Sequence, residues 1–177
     1  MPKYQKTIIK NSKWKRIKVE HNHLDNLKIK IGYFGSGKPD NNMAYLAAIQ
    51  TYGIPEGIKV TPKMRAFLHS IGIHLKKNTV TIHIPQRPFM QNAMDDNVDK
   101  IMRFIIANYK LVLQNKLSVT KFIERIALRH EDQIKNSIKR GSYKELHPVT
   151  AAQKGSSKPL VGKTGELINK VEHKVGK

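Results

Sequence analysis

Four groups of residues in this sequence have the types and spacing to do chemistry: three histidines, a partial phosphate loop, three close aspartates, and an arginine fixed between two prolines. His69, His74 and His83 would come together across a hairpin if 73–75 pairs with 80–82. Imidazoles so placed could hold a transition metal, although surface or boundary histidines account for the same spacing. Gly35-Ser36-Gly37-Lys38 has the small residues and the lysine of a phosphate-binding loop. The full spacing is absent, and Pro39 stands where a helix carrying a magnesium-binding hydroxyl should begin, so a flexible turn suffices. Asp95, Asp96 and Asp99 fall at a helix start in this reading, where carboxylates complement the dipole. His130 has Glu131 and Asp132 beside it but no second histidine at ligand spacing, which makes it a boundary residue. Nowhere does the sequence assemble a nucleophile, a base and an orienting group. The expectation is therefore a protein that is not an enzyme and needs no cofactor or small-molecule substrate. The absence of cysteine excludes thiolate metal sites and disulfides.

The fourth group is the stretch Ile84-Pro85-Gln86-Arg87-Pro88-Phe89-Met90. Ahead of it, Thr79-Val80-Thr81-Ile82-His83-Ile84 is rich in β-branched residues and predicts a strand. Behind it, apolar residues from Met90 through Ala93, Met94, Val98, Ile101, Met102, Ile105, Tyr109, Val112 and Leu113 keep a helical period, predicting one long helix. Pro85 ends the strand because it cannot donate to a ladder, and Pro88 suits a helix start. Arg87 is held between them on stiff backbone.

Other elements must position this corner. Trp14, Ile17 and Val19 alternate with basic residues and suggest a short strand; Leu27, Ile29 and Ile31 alternate with Lys28 and Lys30 more cleanly. Residues 43–52 predict a helix, capped by Asn41 or Asn42 and closed by Gly53 in the left-handed conformation. A strand at 58–60, helical turns at 64–71, and a hairpin joining 73–75 to 80–82 through Lys76-Lys77-Asn78 fill the next region. A second long helix follows Leu117, with Ser118 as its cap, Val119, Phe122, Ile123, Ile126, Ala127, Ile134 and Ile138 on one face, and Gly141 at its end. Further on, 148–152 predicts a helical turn, Thr164 caps a short helix through Leu167 and Ile168, and 171–175 adds a strand. The expected fold class is α+β, a small mainly antiparallel sheet packed against two long helices, with basic N- and C-terminal arms. The expected division is a basic arm at 1–26, a core at 27–141 with an inserted hairpin region at about 54–83, and a basic arm at 142–177 whose closing strand returns to the core.

A chain of 177 residues can bury one real core. No apolar run approaches the ~20 residues that span a bilayer, and no signal peptide is evident, so the reading is of a soluble protein made in the cytoplasm with no membrane partner. The net charge of +20 points to polyanionic surroundings. Lys13, Lys15, Arg16, Lys18, Lys139, Arg140, Lys144, Lys154 and Lys158 are the candidates for such contacts, and the segments 1–18 and 142–158 are expected to order on an anionic surface.

Three segments together carry a resemblance: Ala44-Tyr45-Leu46-Ala47-Ala48-Ile49-Gln50-Thr51-Tyr52-Gly53, the Ile84-to-Met90 stretch, and Lys158-Pro159-Leu160-Val161-Gly162-Lys163-Thr164-Gly165-Glu166-Leu167. In this order, with helices between the last two, they resemble the tailed-phage virion-morphogenesis family, which includes the Mu-like and lambda-like tail-completion and neck proteins. The likeness extends over about 27–175. It implies a structural virion protein without catalysis, assembled in the host cytoplasm and located in the neck or tail region of the particle. Its implied partners are other neck and tail proteins (connector, stopper or tail-terminator rings), copies of itself in a ring, and the genomic DNA. Pro85, Arg87, Pro88, Phe89, Pro159, Leu160, Thr164, Gly165 and Leu167 are the implied assembly residues, with Phe89 anchoring the helix in the core and Arg87 contacting backbone carbonyls or a neighbouring chain. The sequence departs from the family at Lys163, where an acid is usual, and at Ile168-Asn169-Lys170. The 54–83 region looks like an insertion that only part of the family carries. The competing class is a non-specific nucleic-acid-binding protein, supported by charge alone.

Overall fold

In the computed structural model, which describes residues 12–25, 27–35, 42–146, 148–162 and 164–176, the basic N-terminal region contains a helix, α1 (Ser12–Asp25). This corrects the expected strand around 14–19. Lysine, arginine and leucine all favour helix, and Ile17 and Leu24 stand two turns apart, both half-buried, with Leu24 packed on the body while Val19 is exposed. Strand β1 (Lys28–Gly32) keeps its expected alternation, Ile29 and Ile31 turned inward and Lys28 and Lys30 outward. The phosphate-loop reading falls largely outside the described residues, as do Asn41 and Lys163.

Helix α2 (Met43–Tyr52) starts where Asn42 accepts the Ala44 amide at 3.0 Å. It stops at Gly53, whose φ is positive (69°) but whose ψ of −170° is extended rather than the expected left-handed helical value. The glycine is needed for a second reason. A Cβ here would lie 2.6 Å from the Ile84 carbonyl oxygen and 2.7 Å from the Gln86 nitrogen.

Strand β2 (Ile54–Lys59), helix α3 (Pro62–Ser70) and strand β3 (Thr81–Ile84) come next. The expected hairpin between 73–75 and 80–82 does not form. Instead β3 pairs antiparallel with β2, Ile54 opposite Ile84 and Ile58 opposite Ile82, with an irregularity between. The reason lies in Arg65, whose Nη1 donates to the carbonyls of Leu75 (3.3 Å) and Lys76 (3.0 Å) and whose Nη2 donates to that of Thr79 (2.7 Å). Carbonyls that a local ladder would need are satisfied from α3, and the distant strand supplies the pairing.

The single helix expected over 90–113 is two: α4 (Phe89–Asp95) and α5 (Val98–Leu113). Asn97 breaks the run at φ −127°, ψ 7°, and its Nδ2 donates to the Ala93 carbonyl at 2.9 Å, a local bond that competes with the helical ladder. Asp95 and Asp96 therefore close α4, and only Asp99 lies in a first helical turn.

Helix α6 (Val119–Arg140) is capped by Ser118, which accepts the Lys121 amide at 3.4 Å, and ends where Gly141 donates to the Ser137 carbonyl. It buries residues along its whole length and touches α1, α4, α5 and β1. Helices α7 (Pro148–Lys154) and α8 (Glu166–Asn169) precede strand β4 (Glu172–Gly176), which pairs antiparallel with β1, Ile29 opposite Val175 and Ile31 opposite His173. Gly165 at φ 63°, ψ 20° is the residue before α8, with no side-chain cap; Thr164 does not cap it as expected. The fold is α+β, with its strands in two separate antiparallel pairs rather than one sheet.

Two buried apolar clusters lie along α6. One joins Ala47, Phe89, Ala93, Ile134, Ile138, Leu160, Leu167, Ile168 and Val171; the other gathers Val112, Leu117, Val119, Phe122 and Ile123. Neither draws a residue from 54–84, and no residue between Ala47 and Arg87 is buried. Residues 54–84 thus form an arm rooted on the body. Among the described residues no helix is long and apolar enough to cross a membrane.

Candidate functional site

Pro88 sets the geometry of the corner. At φ −75°, ψ 58° it makes an inverse γ-turn in which the Phe89 amide donates to the Arg87 carbonyl at 2.7 Å. The turn drives Phe89 inward and Arg87 sideways. Phe89 is 0% exposed and meets Tyr33 edge to face at 6.3 Å between centroids. The Tyr33 hydroxyl donates to the Leu167 carbonyl at 2.5 Å, and burial raises its pKa above the ordinary phenol value. Leu160 and Leu167 are buried in the same cluster, with Ala47 contributed by α2.

Arg87 is 4% exposed. Its Nη1 donates to Gln50 Oε1 at 2.8 Å, and its Nε and Nη2 reach the Lys144 carbonyl at 3.4 and 3.3 Å. The arginine so joins the end of α2, the start of α4 and the segment that leaves α6. Burial lowers its pKa from the ordinary value, but a guanidinium keeps its proton in any such setting. Its bonds run to a backbone carbonyl and a side-chain amide within the subunit. Pro85 and Pro88 are half-buried beside it, Pro159 is half-buried, and Thr164 is exposed.

The basic candidates do not share one surface. Lys15, Arg16 and Lys18 are exposed on α1, beside the cluster at the start of α6, where Lys15, Ile17, Lys18, His21 and Tyr109 line one groove. The side chain of Lys13 falls outside the described residues. Lys139 and Arg140 are exposed in the last turn of α6, about 30 Å away at the rise of a helix. Three others have internal bonds. The Lys158 ammonium donates to the Lys139 carbonyl at 2.9 Å, that of Lys154 donates to the Pro159 carbonyl, and Lys144 supplies its own carbonyl to Arg87. Burial, with the nearby Arg87 charge adding to it, lowers the pKa of Lys154.

Of the histidines, His69 and His74 meet edge to face at 4.6 Å, whereas His83 donates to the Pro55 carbonyl at 2.7 Å. No group of three or more metal-ligating side chains occurs among the described residues. Sequence reasoning missed the bond of Gln50 and the core place of Tyr33, and it read Gly53 as a helix end without its close approach to Ile84 and Gln86. Gln50 carries no signal beyond its place on α2, while the strand-ending position of Tyr33, just before the turn, could have marked it as a core aromatic.

No family model, no curated protein and no solved structure matches the chain.

Proposed function

We propose that this chain is a structural virion protein of a tailed bacteriophage, a neck or tail-completion subunit needed for stable tail attachment at the head–tail junction. It forms a closed ring of copies, or a ring around another ring, and it contacts neighbouring connector, stopper or tail-terminator rings. One observation carries the reading. The three segments that resemble the virion-morphogenesis family, far apart in the chain, meet through the buried Ala47, Arg87, Phe89, Leu160 and Leu167 and the half-buried Gln50 that Arg87 bonds. Closed symmetry is the usual solution for homo-oligomers, and a tail axis imposes rotation. A net charge of +20 suits a ring around threaded DNA or against acidic neighbours. The test is deletion of the gene in the phage that encodes it. The expected result is filled heads beside separate tails, or particles whose tails detach. Infectious particles of normal yield, or purified virions lacking the protein, overturn the proposal.

The second reading, non-specific nucleic-acid binding, draws on the exposed Lys15, Arg16 and Lys18 of α1. It predicts affinity for free duplex DNA that falls steeply with salt and needs no assembly partner. The internal bonds of Lys154 and Lys158 weigh against a continuous phosphate-tracking surface.

A further inference from the structure

The arm at 54–84 is an incomplete structure. A two-stranded sheet is marginal on its own, and this one has α3 beside it without a buried residue on either. Two of its large apolar side chains are offered to solvent: Phe67 is 62% exposed and Val80 74%. Its tip is nonetheless shaped, because Arg65 binds three carbonyls of the 75–79 loop. It is also basic, with Lys59, Lys63, Arg65, Lys76 and Lys77 against Glu56 alone.

The same chain carries a surface of the opposite kind. At the α4–α5 corner Asp95, Asp96 and Asp99 are exposed, with no basic residue among positions 95–99, and they are bordered by the exposed apolar Met94, Val98 and Met102. Asp95 accepts from the Gln91 amide, and the ion pairs of the described residues lie elsewhere, at Glu131. Lys100 follows Asp99 directly, its ammonium donating to Asn97 Oδ1 at 3.3 Å, and Arg103 comes one turn later, so the negative charge is confined to positions 95–99. In a chain of net charge +20, this is a local acidic, partly apolar spot, and it matches the basic, partly apolar arm.

We propose that the arm of one subunit docks on the α4–α5 corner of a second copy, Val80 and Phe67 covering Met94, Val98 and Met102 while Lys76 and Lys77 face Asp95, Asp96 and Asp99. The contact joins two different surfaces, so it is heterologous and propagates head to tail, which closes into a ring when the rotation allows. This contact rests on the reading of the chain as a ring-forming subunit.

The chain has no cysteine, so introduced thiols report without background. Full-length Val80→Cys and Val98→Cys proteins are mixed at high concentration and treated with a short bis-maleimide. The mixture is expected to yield a covalent dimer that neither variant gives alone. Adding Lys76→Glu and Lys77→Glu to the first variant is expected to lower the yield about tenfold, and adding Asp95→Lys and Asp99→Lys to the second to restore it. Circular dichroism of each variant checks that the body stays folded. No dimer in the mixture, dimer from Val80→Cys alone, or reversal without rescue each overturns the contact. If the arm charge reversals instead abolish binding to duplex DNA while no dimer forms, the arm belongs to nucleic acid and the proposal falls. A cross-link in a protein that virions lack removes the neck reading and keeps this contact; a protein present in necks without the cross-link does the reverse.

Discussion

Arg87 and Gln50 are bonded twice, backbone to backbone and side chain to side chain: the Arg87 amide donates to the Gln50 carbonyl at 2.7 Å, and its guanidinium to Gln50 Oε1 at 2.8 Å. The pair sits where the arm leaves and re-enters the body, one step beyond the Ile54–Ile84 rung of its sheet. Arg87 acts as a clamp on the arm's root, and its effect on assembly would pass through the arm's orientation.

Arg87→Lys should leave the subunit folded, because lysine keeps the charge but cannot bridge Gln50 and the Lys144 carbonyl with one planar group. The expected cost is ~1–3 kcal/mol, the scale of lost charge-assisted bonds in a buried site. Hydrogen exchange should speed up across 54–84 while 119–138 keeps its protection. Equal protection of the arm in both proteins would sink the clamp.

Phe89→Ala should lower unfolding stability by about 3–5 kcal/mol, since a fully buried ring leaves a cavity at the meeting point of α2, α4, α6 and α8. Urea denaturation measures it. A loss under ~1 kcal/mol would mean that the cluster collapses around the site.

Glu131 ties α6 to β4. Its carboxylate accepts from His173 Nδ1 at 2.7 Å and pairs with the Lys135 ammonium. Burial disfavours the charged form, but the hydrogen bonds and charges of Lys135 and His173 outweigh it and hold the Glu131 pKa below the usual range. A depressed pKa in the folded state stabilises the fold above the unfolded value of about 4.3, and this contribution disappears as pH falls through the folded value. Glu131→Gln should therefore flatten the acid side of the stability curve, read from urea midpoints between about pH 6 and about pH 3. An unchanged acid limb would remove Glu131 from the account.

Gln133 is buried on α6 with its Nε2 unpartnered, beside a 380 Å³ groove between α4 and the end of α6. An unmade bond at a buried donor costs about 1–3 kcal/mol, and among the described residues Gln133 Oε1 keeps only the bond with His130 Nδ1 at 3.1 Å, so Gln133→Met, of similar shape, should change stability by less than ~1 kcal/mol. Loss of more than ~1 kcal/mol would show that the bonds the amide makes outweigh its unsatisfied Nε2.

Local chemistry made much of the fold legible. Asn42 and Ser118 cap the helices that they were expected to cap, and the alternation of Leu27, Ile29 and Ile31 marked β1. What failed depended on side-chain bonds across space. The apolar period from Met94 to Val98 runs on through the break at Asn97, so the interruption could be seen only from its bond to Ala93. The hairpin partner was assigned to the nearest β-rich neighbour because nothing in the sequence announces that Arg65 occupies the loop carbonyls. At the site, the stiffness of Pro85 and Pro88 and the inward pull of Phe89 were readable, whereas the partners of Arg87 lie in segments that only the fold brings near.

The β1–β4 ladder sets a schedule for synthesis. Ile29 leaves the ribosome long before its partner Val175, and the core around Phe89 also waits for Leu160, Leu167, Ile168 and Val171. Pairings this distant in sequence close slowly, and until they close, apolar surface and an open strand edge stay uncovered. A nascent chain thus carries α6 with these sockets empty, and a chain truncated before Val171 is suited to chaperones and proteases rather than to assembly.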